Sequence, residues 1–550
     1  MEQRTSFSSE IFLYLLILLL ALALRFAALG AAPLTEFEAQ AALPAHSLAH
    51  GEMTSLGDQP GFVVFTSFLF SLLGSSEFVA RLLPALFGVG LAALPYFWRD
   101  VLGQKAALLL SLSLALDPGM VATSRLASGQ IIAVSASLIA LTAWRSSQPV
   151  VSGIFASIAL LASPLIFIGS IAAVFVWASL RPLEKSSSKQ WQTFIIAAVT
   201  TLILGGTLFL RAPEGLGGIG STPSAFIGRF TQPGVPVAEI GVALVGYAFP
   251  ALVFGVVGGV NVWRKNHSVG KVVSLFAVFS LLLVLVNPGR QVADLLWVVL
   301  PLWVLAALQI SGYISLPQKD LSVTLGEAGL MLMLGVFFGI ALSKLASNFP
   351  DFALVAGATF LLAILATILI AFGWSKVGAE RGFVWALLLF SVLFMLSASG
   401  RYLHVETTDA NDLWTPGPAA GSDRLVEDSL RDLSVLKQGL ANDLAIESRV
   451  DTSAIAWELR DLQVTDSSGS SNPPLIITAA DVQPEELAAY RGQSFAIQVE
   501  RTWSGWPPNF FAWLFYRQAP TQTEQIILWA RTDLFPDAQS ISETIPNQTP

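Results

Sequence analysis

Long apolar runs alternate with short polar breaks along this chain, and the runs recur at the length of a membrane span. A helix needs about 20 apolar residues to cross hydrocarbon, and the first run, Ile11 to Leu29, reaches that length. The opening Met1-Glu2-Gln3-Arg4 also suits a signal peptide, but the many runs that follow favour a retained first span. Further runs cover 77–98, 105–120, 127–145, 150–180, 191–210, 236–263, 270–287, 292–312, 321–344, 351–373 and 383–399. Phe62 to Leu73 is too short to cross and reads as a helix lying in the interface. As one helix, the 150–180 run would be about 45 Å long, half as long again as the hydrocarbon core. Pro164 near its middle divides it in two, which gives thirteen spans.

Basic residues agree with that count, because cytoplasmic loops are enriched in Lys and Arg. With the N-terminus inside, the inner loops hold Arg99 and Lys105; Arg145; Arg181, Lys185 and Lys189; Arg264, Lys265 and Lys271; Lys319; and Lys376 and Arg381. Without the division at Pro164, the Arg181–Lys189 cluster faces outward. The same topology gathers the polar stretches on the outer face. They are the Glu36/Glu38 loop, Asp117 to Gln130, the Gly-rich loop Arg211 to Pro236, the Pro288-Gly289-Arg290 turn, and everything after Gly400.

At Arg401 the pattern changes to that of a soluble domain. Leu425, Leu430, Leu433, Leu436 and Leu440 recur near helical spacing, and Thr452 to Arg460 continues as helix. Leu475 to Thr478, Phe495 to Val499 and Ile526 to Ala530 read as strands. The chain thus divides into a helical membrane part (1–400), an outer α/β domain (401–536) and a disordered tail (537–550). The Trp- and Phe-rich segment Trp503 to Trp513 reads as an interfacial anchor or as ordinary core, with core favoured.

Composition fits this picture. Of 550 residues, 54% are hydrophobic and 12% charged, about half the charged share of soluble domains. A net charge of −8 argues against a nucleic-acid partner, which favours a basic patch. The absence of Cys removes disulfides, thiolate nucleophiles and Cys-type zinc sites. His46 and His50 stand four apart but lack the glutamate of the HExxH zinc motif.

Candidate chemistry starts at Pro33-Leu34-Thr35-Glu36-Phe37-Glu38-Ala39-Gln40, where two carboxylates sit at the rim of the first span. Such groups persist near hydrocarbon with partners or a water-filled cavity, or else they cap the next helix. Arg290 and Asp294, four apart where an outer turn enters a span, suit phosphate contact by Arg290 or a mutual helical ion pair. Arg81, near the start of its span, reads as a snorkelling residue.

Three stretches carry a family resemblance: LRFAALGAAPLTEFEAQAAL, DQPGFVVFTSFLFSLLGSSEFVARLLPALFGVGLAALPYFW and DPGMVATSRLASGQ. In order and spacing they resemble the GT-C superfamily of integral-membrane glycosyltransferases, in the branch related to protein O-mannosyltransferases and the lipid A aminoarabinose transferase (glycosyltransferase family 39-like). The resemblance covers roughly the first third of the chain. It implies a polyprenyl phosphate-linked sugar donor and transfer to an envelope glycan, lipid or protein hydroxyl on the outer face of the plasma membrane. A carboxylate pair could hold a divalent cation, but nothing in the sequence requires a cofactor.

Such chemistry needs a carboxylate for the acceptor's proton, arginines for the departing phosphate, and a cavity open to lipid and water. Carried over by position, Glu38 falls on the Glu of the family's Asp-Glu pair, whose Asp is Phe37 here, with Glu36 one residue earlier. Gln59 falls on the His/Lys before the family's Pro, Gly61 replaces its second Pro, Arg125 matches the family's Arg, and Gln130 stands where many members have Asp. The expected roles are therefore Glu38 (with Glu36) as base or acceptor-orienting group, Arg125 and Arg290 as phosphate ligands, and Gln130, Gln59 and Asp294 as polar contacts. Phe37 and Gln130 leave open a non-catalytic protein on the same scaffold that binds lipid-linked sugar or assists a flippase.

Overall fold

The computed structural model describes residues 3–180, 188–207, 215–314, 320–403, 409–421, 423–439, 444–462, 464–465, 473–484 and 489–535. The expected tail at 537–550 and Leu440 lie outside them. The membrane part begins with α1 (Gln3–Phe26), followed by α2 (Glu36–Ala49), α3 (Pro60–Leu73), α4 (Glu77–Ala93) and a one-turn α5 (Arg99–Leu102). Next come α6 (Gln104–Leu116), α7 (Pro118–Ser124), α8 (Gln130–Arg145), α9 (Pro149–Ala162), α10 (Ile166–Leu180) and α11 (Ser188–Gly206). The series closes with α12 (Gly215–Gly228), α13 (Val237–Tyr247), α14 (Phe249–Arg264), α15 (Ser268–Val286), α16 (Leu296–Ser311), α17 (Leu321–Ala346), α18 (Phe352–Gly373) and α19 (Lys376–Gly400).

Each expected apolar run coincides with a helix or a bent helix pair, and Pro164 does lie in the break between α9 and α10. Among the described residues, seven helices are long and apolar enough to cross a membrane, or nine when each bent pair counts as one span. Four shorter apolar helices accompany them, so thirteen full-length spans are not established. Two runs read as single spans are bent. The α6–α7 pair turns by 55° and the α13–α14 pair by 92°. Pro118 is the first residue and Pro250 the second residue of the following helix in each pair; proline lacks the N–H that would continue a helix and clashes with the carbonyl four residues back.

The expected outer domain comprises β1 (Ala419–Ala420), α20 (Asp423–Gln438), β2 (Ile446–Ser448), α21 (Ser453–Glu458), β3 (Val464–Thr465), β4 (Leu475–Ala479), β5 (Tyr490–Arg501), α22 (Phe510–Tyr516) and β6 (Thr521–Arg531). They form one mixed six-stranded sheet in the order β1-β5-β6-β4-β2-β3. The β1, β5, β6 and β4 neighbours run antiparallel, while β2 is parallel to β4 and β3. Val426 and Leu430 of α20 pack with Leu475, Ile477, Ile526 and Leu528 of the sheet. Leu425 and Leu436, expected on that same face, are exposed, because the apolar stripe of the helix is narrower than its leucine count.

The domain sits on the membrane part through tryptophans that belong to the membrane part's own core. Trp414, Trp457, Trp503 and Trp513 share one buried cluster with residues of α2 to α16. A Cβ on Gly119 would lie 2.3 Å from Trp414, and one on Gly246 would lie 2.6 Å from Trp513, so glycine is what lets the indoles approach those helices. Trp503 and Trp513 are thus core, as favoured, but the core of the junction rather than of the α/β domain, while Trp506 between them is exposed.

Polar groups complete the seam. Glu36 accepts from Ser453 N (3.0 Å) and Ala454 N (2.9 Å), which satisfies orphan donors at the start of α21. Glu239 accepts from Arg501 and from Gly505 N. Glu77 accepts from Trp457 Nε1 and faces Arg424. Beside it, Glu458 is buried. Burial first, and then the charges of Glu77 and Glu427, push its carboxyl up to about 8. A carboxyl raised on folding binds a proton that the unfolded chain has lost, so stability should fall as pH rises from 4.5 to about 8. Glu458→Gln should flatten that dependence and raise Tm near pH 8, as measured by thermal melts across the range; a melt equally pH-dependent in both proteins would contradict the assignment.

Candidate active site

Thr35 is the N-cap of α2, and with Glu38 it forms a capping box. The capping expected of this loop is therefore real, but it is only part of what Glu38 does. The fully buried carboxylate accepts five hydrogen bonds. They come from Thr35 N (3.0 Å) and Oγ1 (3.1 Å), Arg81 Nε (2.7 Å) and Nη2 (2.8 Å), and Ala127 N (2.8 Å). Arg81 also donates to the carbonyls of Leu29, Ala32 and Pro33. It is buried, which corrects its reading as a snorkelling residue. Burial alone would raise the Glu38 carboxyl, but the Arg81 charge and the bonds from Arg81, Ala127 and Thr35 together hold it below the usual glutamate range.

This pair joins the loop after α1, the start of α4 and the loop after α7. Arg125, at the end of α7, points back at the first of these. Its guanidinium donates to the carbonyls of Leu24 (3.1 Å), Arg25 (3.2 Å), Ala27 (2.8 Å) and Ala28 (3.4 Å), capping the acceptors that the end of α1 leaves open. Arg25 reciprocates by donating to the Leu114 and Ala115 carbonyls at the end of α6 and to Ser124. Asp117 fixes the bend between α6 and α7 by accepting from Met120 N and from Trp303 Nε1.

Glu38, Arg81 and Arg125 line a cavity of about 110 Å³ whose other wall is built from the end of α13, the end of α19 and the outer domain. That wall brings Tyr247, Arg401, Tyr402, Asp409, Asp412 and Arg517. Asp412 Oδ1 accepts from Tyr247 Oη at 2.5 Å and from Trp414 N at 3.2 Å. Asp409 is exposed and accepts from Asn411 N. The carboxyl still has protein packed around it where it borders the cavity; that desolvation raises it most, the Asn411 N–H opposes, the Asp412 charge adds to the rise, and the Arg517 and Arg401 charges oppose. Arg401 donates to the Phe515 carbonyl (2.6 Å). Among the described residues, none of Arg125, Arg401 and Arg517 forms a salt bridge.

The other sequence candidates lie elsewhere. Gln59 Oε1 accepts from Gly129 N at 2.6 Å, holding the loop that precedes α8. Gln130 is buried beside it, with its Oε1 lacking a partner among the described residues. Neither lines the cavity. Arg290 donates to the Val284, Leu285 and Val235 carbonyls, which caps α15 and does not pair it with Asp294. Asp294 instead accepts from Arg229 and Gln291 N. The expected mutual ion pair is absent because each partner has a nearer alternative. No group of three or more His, Asp or Glu among the described residues is placed to hold a metal ion.

Asp409, Asp412, Arg401, Tyr247 and Arg517 were not singled out by sequence. The one available signal was a group of carboxylates that includes Asp409 and Asp412, in the first polar stretch beyond the last apolar run.

No protein-family profile and no curated protein matches this chain. Solved structures do. ArnT from Cupriavidus metallidurans bound to undecaprenyl phosphate matches with a TM-score of 0.53 at 13% identity, covering 94% of this chain and 98% of that one. The apo state of the same protein matches with a TM-score of 0.51 over the same shares. This chain therefore shares the fold of ArnT: a helical part with several apolar helices of membrane-crossing length, carrying a C-terminal sheet domain.

Removing one member of a buried ion pair costs about 3–5 kcal/mol. Glu38→Gln and Arg81→Gln should therefore each lower Tm in detergent strongly, and the double variant should lose less than the sum. Because folding depresses the Glu38 carboxyl, its contribution is complete above the ordinary glutamate range and is lost as pH falls through the lowered value. Additive losses in the double variant would show that the two groups act independently.

Proposed function

We propose that the protein is a membrane glycosyltransferase that takes a sugar from a polyprenyl phosphate donor and passes it to an acceptor hydroxyl. The observation that carries this reading is the cavity at the junction: its wall holds three guanidiniums that form no salt bridge among the described residues, together with Asp409 and Asp412 and the Glu38–Arg81 pair. Sugar transfer from a lipid phosphate needs those two kinds of group together. The N-terminus faces the cytoplasm in this reading, and the cavity and sheet domain face outward, in line with the basic inner loops.

In the reaction, the acceptor oxygen attacks the anomeric carbon while the bond from that carbon to the phosphate oxygen breaks. The electron pair leaves with the polyprenyl phosphate, whose gathering charge the Arg125 and Arg401 guanidiniums oppose. Guanidinium suits this task, being always charged and able to offer paired N–H donors. The acceptor's proton goes to a carboxylate. Glu38 serves poorly, since five donors occupy it and Arg81 favours its charged form. Asp409 is reachable, has one described donor, and has a raised carboxyl, as a base working near neutrality requires. Glu38 then acts as a positioning residue that fixes the cavity wall.

The test uses purified full-length protein, radiolabelled polyprenyl phosphate sugars and cell-envelope acceptors. Wild type should transfer sugar with a rate that rises with pH to a midpoint above the usual aspartate value. Asp409→Asn should lower kcat by about 10²–10⁴ and flatten that rise. Unchanged kcat in Asp409→Asn would remove its role as base, and transfer from none of the lipid-linked sugars would contradict the reading itself.

A further inference from the structure

We propose that Arg517 binds the phosphate of the lipid substrate, so that the outer domain completes the donor site. This rests on the reading above and adds to it a ligand from a domain in which the sequence shows no motif for chemistry. Arg517 follows α22 as its C-cap, with φ 54°, in the left-handed region that side chains other than Gly, Asn and Asp rarely adopt. It is 8% exposed. Its guanidinium carbon lies 4.1 Å from the centre of the Tyr247 ring and 4.2 Å from that of Trp513. Both rings are themselves fixed. Tyr247 donates to Asp412 and accepts from Leu413 N, and Trp513 donates to the Asn411 carbonyl.

A guanidinium lying against ring faces is held by its plane, which leaves the N–H donors along its edge available. The described hydrogen bond of the Arg517 guanidinium is one long contact, 3.4 Å, from Nη1 to the Trp513 carbonyl. A buried cation of this kind is costly without an anion, and Arg517 shares its cavity with two further arginines, Arg125 and Arg401, that form no salt bridge among the described residues. Asp409 and Asp412 offset part of this charge. Glu38 is already matched by Arg81. The ligand that fits is a singly or doubly charged phosphate carried on a lipid and entering at the junction.

If Arg517 only ended a helix, glycine would serve better there, since it adopts positive φ without strain. That separates the two roles. Full-length protein in nanodiscs is titrated with undecaprenyl phosphate, and in parallel with phosphatidylglycerol and with inorganic phosphate. Arg517→Gly should keep the wild-type Tm and lose affinity for undecaprenyl phosphate by about ten-fold or more, and Arg517→Lys should fall between the two. Undiminished affinity in a folded Arg517→Gly protein overturns the assignment and leaves the functional reading standing. Should Arg517→Gly melt early, Arg517→Lys decides: a several-fold loss supports the assignment, and wild-type affinity overturns it. Phosphatidylglycerol binding as tightly as undecaprenyl phosphate, or no binding of either by wild type, overturns the donor reading and this inference with it.

Discussion

The buried Glu38–Arg81 pair is the contact on which the rest of the site depends. A buried ion pair repays its desolvation only when its remaining lone pairs and protons are also satisfied. Here the carboxylate takes five donors and the guanidinium reaches three further backbone carbonyls. Those partners come from the loop after α1, the start of α4 and the loop after α7, segments that lie far apart in sequence. The geometry of the three loops is thereby coupled, and with it the inner wall of the cavity. Arg125 and Arg25 extend the same logic by capping the ends of α1 and α6.

The second wall belongs to the outer domain, and it is held by a different kind of contact. Four tryptophans enter the core of the membrane part, at two places against glycines that leave room for an indole. Glu36, Glu77 and Glu239 then receive donors from the domain. Glu36 thus serves the site at one remove: it fixes how the domain sits, and so where Asp409, Asp412 and Arg517 meet Arg125. The carboxylates of the loop after α1 are thus engaged in holding the structure, while Asp409 and Asp412 enter the cavity from the other side.

Much of the fold was legible because membrane spans and buried strands are encoded locally, by length and by the period of apolar residues. The run 270–287 and the strand at Leu475 reappear nearly as read, while the strands around Phe495 and Ile526 extend to 12 and 11 residues, more than twice the length their apolar cores mark. The bends at Pro118 and Pro250 were missed since apolarity continues across them while the backbone does not. The role of Arg81 was missed for a related reason: an arginine near a span end reads the same whether it reaches for water or for a buried glutamate 43 residues away. Arg290 and Asp294 stand at helical spacing, yet their partners are carbonyls and Arg229. Asp409, Asp412, Arg401 and Arg517 form a site only because two domains dock, and no local pattern records that. Arg125 was legible through its motif, and it does line the cavity.

The central claim is that a lipid phosphate is taken up at the junction, between the loops held by Glu38 and the wall supplied by the outer domain. The most direct measurement is an experimental structure of the full-length protein with undecaprenyl phosphate. The account predicts phosphate density inside the cavity, within hydrogen-bond reach of Arg125, Arg401 or Arg517, with the polyprenyl chain leading out towards lipid. A phosphate seated away from this cavity, with these guanidiniums still turned on protein carbonyls and rings alone, would contradict it.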